Sequence, residues 1–341
     1  MSKKDIKKIQ TVLKKYSKEL EAINKVKQKC IGYKIKNGEI MRDTIAAIFF
    51  VRYKPEMKML RSLNIEPLPK EIDGIPTDIV EVPTGFEKRI LKLSPRMVSP
   101  DDARYRPFSG GVAMINANPF PAGTGTLGLI VQKNGSEAKY AFTNNHVGAN
   151  EDVEGLPSTA NIDDPWIQPG AHGGGQHPDD TIATLDSWNR MKPAGTGVNY
   201  YDFSLGKILD SESGNAKSYH MLEVGNVEGS AELELGDRVL KRGRTTRKTL
   251  GEVIAIGVSD SQISVPYQGI PCNFDNQCVV VGLPTEVPFS LAGDSGSAVV
   301  SEGSPHKIKG QLFAGGENSD GIDLTIVSPI KKIIDDFDLD L

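Results

Sequence analysis

The stretch "LAGDSGSAVV", residues 291–300, decides how the rest of the chain is read. Its centre, Gly293-Asp294-Ser295-Gly296, sets a serine between glycines just ahead of an apolar run. A serine in such a turn either attacks a carbonyl or merely fills a bend. Chance alone places this tetrapeptide in roughly one chain in fifty of this length and glycine content. It gains meaning only if the same chain supplies a base for the serine and a carboxylate to orient that base.

Five histidines are available as the base. His146 closes "KYAFTNNHV" (139–147), where an apolar run meets a polar turn. His172 and His177 sit in "PGAHGGGQHPDD" (169–180), a loop too glycine-rich to fix an imidazole by itself. Asp179 and Asp180 beside them leave the ligand set incomplete, and no metal is expected. His220 and His306 flank strands with nothing nearby to activate a serine. For the orienting carboxylate, Asp202 in "YYDFSLGKI" (200–208) lies at a strand edge, unlike the many acids in loops. The order His146, Asp202, Ser295 is one of three known convergent orders, the two-barrel one.

With these residues in hand, "TNNHV", "YDFSL" and "GDSGSAVV" together resemble the three motifs of the chymotrypsin-like serine proteases. The resemblance implies a mainly β fold of two six-stranded barrels with the triad between them. It also implies peptide-bond hydrolysis through an acyl-enzyme, with no cofactor. The backbone N–H groups of Gly293 and Ser295 would then form the oxyanion hole. Phe289, six residues before the nucleophile, would floor the primary pocket, with Ala314, Gly315 and Gly316 in "LFAGG" (312–316) along its edge. A phenyl floor favours small or apolar side chains, unless Glu286, Glu317 or Asp320 turns inward. "LKRGRTTRKTLGEV" (240–253) is similar to a segment of bacterial secreted members, with Arg247 where those carry glycine. By that likeness Arg244 pairs with Asp294. The leader "LPKEIDGIPTDIVEV" (68–82) resembles a bacterial and plant intracellular group that includes the narrow-leaf proteins. The familiar activation sequence, a basic residue followed by an apolar pair and glycines, is absent ahead of residue 109, so the enzyme is expected to be active as made or gated by something other than N-terminal processing.

Composition bounds the remaining choices. Hydrophobic content of 38% and charged content of 25% are ordinary for a globular protein, and a net charge of −4 argues against a general nucleic-acid binder. No apolar run reaches 18 residues, so no membrane partner is expected, and a cytoplasmic location is assumed. Cys30, Cys272 and Cys278 make no even disulfide framework; Cys272 and Cys278 flank "NFDNQ" and could bridge a loop, while a cell interior favours free thiols. Residues 1–95 read as a small α/β domain, 109–330 as the protease domain with barrels at about 109–210 and 230–327, and 328–341 as a terminal helix capped by Ser328. Ile6, Ile9, Leu13, Tyr16, Leu20 and Ile23 form one helical seam. That seam either docks on the domain or drives homo-oligomerisation through residues 1–29. Asn37-Gly38 between half-apolar runs predicts a hairpin. Two functions are carried forward: a serine endopeptidase acting on protein or peptide substrates, and a catalytically silent scaffold of the same fold that recruits partners.

Overall fold

The computed structural model describes residues 3–16, 30–89, 91–92, 101–118, 123–259 and 263–341. Strands take 46% and helices 11%, which makes the fold mainly β, as the resemblance implies.

Two antiparallel circuits organise those strands. In the first, Ala113–Asn116 pairs with Gly123–Thr126, which runs on through Leu127–Leu129 into Ile130–Lys133. The circuit continues through Lys139–Thr143, Ser204–Ile208, Thr181–Trp188 and Pro165–Ile167 before returning to Ala113–Asn116. Because Gly123–Thr126 and Ile130–Lys133 belong to one continuous segment, this sheet closes on itself. The second circuit runs Arg238–Gly243, Arg247–Val258, Gln277–Gly282, Asp323–Pro329, His306–Glu317, Ala298–Ser301 and back to the start. Closure leaves neither barrel a free edge of its own.

Each barrel is filled from the alternating inward positions of its strands. Trp166, Met114, Ile130, Val147 and Leu185 fill the first. Val239, Val253, Val280, Phe289 and Leu312 fill the second. A third cluster, with Leu129, Phe142, Phe203, Leu240 and Val300, packs where the barrels meet. The terminal helix Ile330–Phe337 caps that cluster, setting the Phe337 ring 4.5 Å from that of Phe203. Ser328 does not cap this helix: its hydroxyl donates to Gln277 at 2.7 Å.

Ahead of the barrels, Asn37 and Gly38 turn the hairpin Cys30–Lys36 and Glu39–Val51, both with positive φ (52° and 77°), as a two-residue type I′ turn requires. Ile75–Glu81 adds in parallel to Glu39–Val51. Cys30–Lys36 pairs in turn with Arg247–Val258, so this small sheet continues into the second barrel. Helix Lys3–Lys15 lays Ile9, Val12 and Leu13 onto Ile31, Phe49, Ile72 and Ile75, and Tyr16 donates to Asp73 at 2.8 Å. The seam is thus spent on the chain's own sheet over these residues; Leu20 and Ile23 lie outside the described residues. Cys30, Cys272 and Cys278 are free and buried.

Trp166 is wholly buried and its indole N–H donates to the Gly148 carbonyl at 2.9 Å, tying the first barrel's core to the turn after His146. Trp166→Ala should therefore destabilise the chain by about 3–5 kcal/mol, read as a lowered urea midpoint.

Candidate active site

The strand Lys139–Thr143 ends at Asn144, and the chain makes a single helical turn, Asn145–Gly148, that carries His146. Its neighbours hold the turn rigidly. Asn144 donates to the Asp202 carbonyl at 2.7 Å, and Asn145 to the Asn189 carbonyl at 2.6 Å. Asp202 is fully buried ahead of Ser204–Ile208. One of its oxygens accepts from His146 Nδ1, and the other from the His146 backbone N–H at 3.3 Å. Tyr267 adds a donor at 2.5 Å. Burial, reinforced by the Asp202 carboxylate, holds the Tyr267 phenol well above its usual pKa, so it stays a donor. The opposite nitrogen of the imidazole, Nε2, is buried and has no hydrogen-bond partner among the described residues.

Ser295 approaches from the second barrel. A Cβ on Gly125 would meet Val147 on one side and the Ser295 carbonyl on the other, so that glycine lets the two turns close together. Gly293 takes φ +104°, a conformation that a side chain would strain, and this aims the N–H groups of 293 and 295 to one side. The Ser295 hydroxyl donates to the Phe313 carbonyl at 3.2 Å.

The aspartate of the turn is held differently from expectation. Asp294 is buried and accepts from Thr245 N–H (2.8 Å), Leu291 N–H (2.9 Å) and the Thr246 hydroxyl (2.7 Å). Its cation is Lys241, at 3.5 Å, whose pKa burial pulls down while Asp294 pushes it back up. Arg244 does not take this place. It forms a two-pronged pair with Asp102, at 2.7 and 2.6 Å, because its planar fork matches a carboxylate that arrives from the chain entering the first barrel. Arg247, standing where glycine would be expected, keeps a positive φ of 56° and pairs with Glu223.

The cleft between these groups holds part of the chain itself. Glu87–Lys88 pairs antiparallel with His306–Glu317, placing Lys88 opposite Ala314 and Glu87 opposite Gly315. Arg89 donates its N–H to the Phe313 carbonyl at 3.0 Å. Its carbonyl accepts from the N–H groups of both Gly293 (2.5 Å) and Ser295 (3.1 Å). Farther along, Leu91–Lys92 pairs with Gly123–Thr126. The Arg89 guanidinium runs over Gly315 to the Asp323 carboxylate; a Cβ on Gly315 would collide with it. Gly316 lies against the Gly85 carbonyl.

His146 and Asp202 are therefore in contact, and the Gly293–Ser295 turn and the 314–316 edge both meet the 85–89 segment. Phe289 does not join them: its ring packs against Gly251 in the second barrel's core, because a wholly apolar side chain gains more there than beside a polar cleft. His172 and His177 stay apart, meeting the hydroxyls of Thr124 and Thr181. Sequence reading passed over Tyr267, Lys241, Asp102, Asp323 and Arg89. For Arg89 a signal existed, since Arg89-Ile90-Leu91 is a basic residue followed by an apolar pair, lacking only the glycines.

No family model and no curated protein matches this chain. Among solved structures it is similar to Thermobifida fusca protease A, with 18% identity over 68% of this chain and 97% of that one, at a TM-score of 0.43. An alpha-lytic protease homologue, N4, matches with 18% identity over 68% and 97% of the two chains, at 0.44. A glutamic-acid-specific serine protease matches with 19% identity over 67% and 97%, at 0.43. These neighbours are serine proteases, and the likeness is one of fold.

Tyr267→Phe would remove a donor from a buried carboxylate. It should cost about 1.5–3 kcal/mol of stability, measured by denaturant unfolding, if Asp202 depends on that hydroxyl as the 2.5 Å contact indicates.

Proposed function

We propose that the chain is a serine endopeptidase in which Ser295 is the nucleophile, His146 the general base and Asp202 its orienting carboxylate. One observation carries this reading: the Arg89 carbonyl oxygen accepts from the N–H groups of Gly293 and Ser295 together. Two backbone donors converging on one acyl oxygen are what a tetrahedral intermediate needs, and each such donor is worth about 3–4 kcal/mol to the transition state. In the reaction Ser295 Oγ turns from Phe313 to His146 Nε2, gives up its proton and attacks the carbonyl carbon. The imidazolium, stabilised by Asp202, then protonates the leaving amine, and water releases the acyl group by the same steps in reverse. Tyr267 keeps Asp202 oriented throughout. Kinship with the intracellular group that shares the 68–82 leader, and a cytoplasmic setting that keeps the three cysteines reduced, belong to this proposal.

The silent-scaffold reading draws on the Ser295 hydroxyl, which donates to Phe313 and not to His146. A fluorophosphonate probe separates the two. Arg89→Asp sets a like charge against Asp323 and expels the docked segment, opening the cleft. That variant should be labelled at Ser295, as peptide mapping reads it, and the same chain carrying Ser295→Ala should not. An unlabelled Arg89→Asp chain would establish the scaffold instead.

A further inference from the structure

We propose that this cleft selects arginine on the acyl side of the bond it cuts, that Asp323 is the residue that selects it, and that the chain's first substrate is its own Arg89–Ile90 bond. The inference rests on the endopeptidase reading above.

The docked segment has the geometry of a substrate on both flanks. Its upstream part pairs with Ala314 and Gly315, and its downstream part pairs with Thr124 and Gly123. An extended peptide laid along a sheet edge is recognised through its backbone, with side-chain pockets adding specificity. The carbonyl held by Gly293 and Ser295 identifies Arg89 as the acyl-side residue, so its side chain reports what the primary pocket accepts.

That pocket ends in a charge. The Asp323 and Arg89 side chains are each only 15% exposed and form an ion pair. Asp323 is further held by the Thr325 hydroxyl at 3.3 Å and by the Ser290 backbone N–H. Burial pushes the Asp323 carboxyl above the ordinary aspartate pKa, and Arg89 draws it back down. A carboxylate buried to this degree is costly when alone, so the empty pocket favours a cation. The bare Gly315 leaves the path to it open, and only a long side chain spans that path. Arginine suits better than lysine because its flat guanidinium lies along the glycine and one terminal N–H reaches the carboxylate. The preference for small or apolar residues that a Phe289 floor implied is thereby reversed.

The cut balances without a cofactor. Ser295 Oγ bonds to the Arg89 carbonyl carbon, and the bond from that carbon to the Ile90 nitrogen breaks. The serine proton passes through His146 to the Ile90 amine. Water then attacks the ester, returns a proton to Ser295 through His146, and leaves a carboxylate on Arg89.

The experiment follows the intact mass and new N-termini of the purified full chain over time, for wild type, Ser295→Ala, Asp323→Asn, Arg89→Lys and Arg89→Leu. Wild type should yield fragments 1–89 and 90–341, the second beginning at Ile90, while Ser295→Ala stays whole. Asp323→Asn should slow the cut at least ~100-fold, the effect of removing one partner from a desolvated charge pair. Arg89→Lys should slow it by about tenfold, and Arg89→Leu at least ~100-fold with the pocket itself untouched. An Asp323→Asn or Arg89→Leu chain cut as fast as wild type overturns the selectivity. A wild-type chain that stays whole, or is cut elsewhere, overturns self-processing. Fluorophosphonate labelling of Arg89→Asp keeps the two layers apart: labelling together with an uncut wild type removes only this inference, whereas no labelling removes the endopeptidase reading beneath it.

Discussion

A buried carboxylate, Asp294, fixes the geometry on which the candidate site depends. Its oxygens collect backbone and hydroxyl hydrogens from Thr245, Thr246 and Leu291, with Lys241 as the compensating charge. Desolvating an unpaired aspartate would cost several kcal/mol, so the turn can adopt this shape only because those partners are already in place. With Asp294 pinned beneath it and Gly293 at φ +104°, the turn carries the Gly293 and Ser295 N–H groups to one acceptor, the Arg89 carbonyl. Many proteins would need a new terminus or a partner to supply that cation. Here a strand of the second barrel provides it, so the donors are assembled before any change in the chain.

The same logic links the two barrels. Thr126 donates its hydroxyl to the Gly293 carbonyl and accepts the Arg244 N–H, while its own backbone N–H meets the Ser295 carbonyl. One threonine from the first barrel thus reads three points on the second. Two of these three contacts use the threonine hydroxyl, so this one side chain helps to hold the serine turn against the first barrel.

How much of this was legible in the sequence follows from how local each signal is. The Asn37-Gly38 hairpin and the three site motifs are short patterns, and each says in a few residues what backbone it requires. Charge partnerships are different. Arg244 was assigned to Asp294, and its actual partner Asp102 lies 142 positions away in the chain. Arg89 and Asp323 are separated by 234 positions. Nothing in either local stretch encodes which of 44 acidic residues a given cation will meet, because that choice is made by closure of the barrels. Phe289 illustrates the converse: its position relative to Ser295 pointed to the pocket, but its apolar ring followed the core. Tyr267 gave no sign at all, since a lone tyrosine in a hairpin carries no information about a carboxylate 65 positions upstream.

The continuity of the N-terminal sheet with the second barrel bears on what a break in the chain could accomplish. Ile31 and Gly32 are strand-paired with Ile256 and Ala255, and Phe50, Val80, Val82 and Phe86 share one core with Phe313 and Ile326. Severing the backbone near residue 90 would leave all of these contacts intact, so the two pieces would travel as a single noncovalent particle. The upstream piece would keep its new carboxyl tail tethered beside the donors at an effective concentration on the order of millimolar. An incoming peptide would have to outcompete that tail. Turnover would then be governed by whatever loosens the sheet, such as heat, mild denaturant or a competing strand, and the act of cutting would be a licence for opening and not the opening itself.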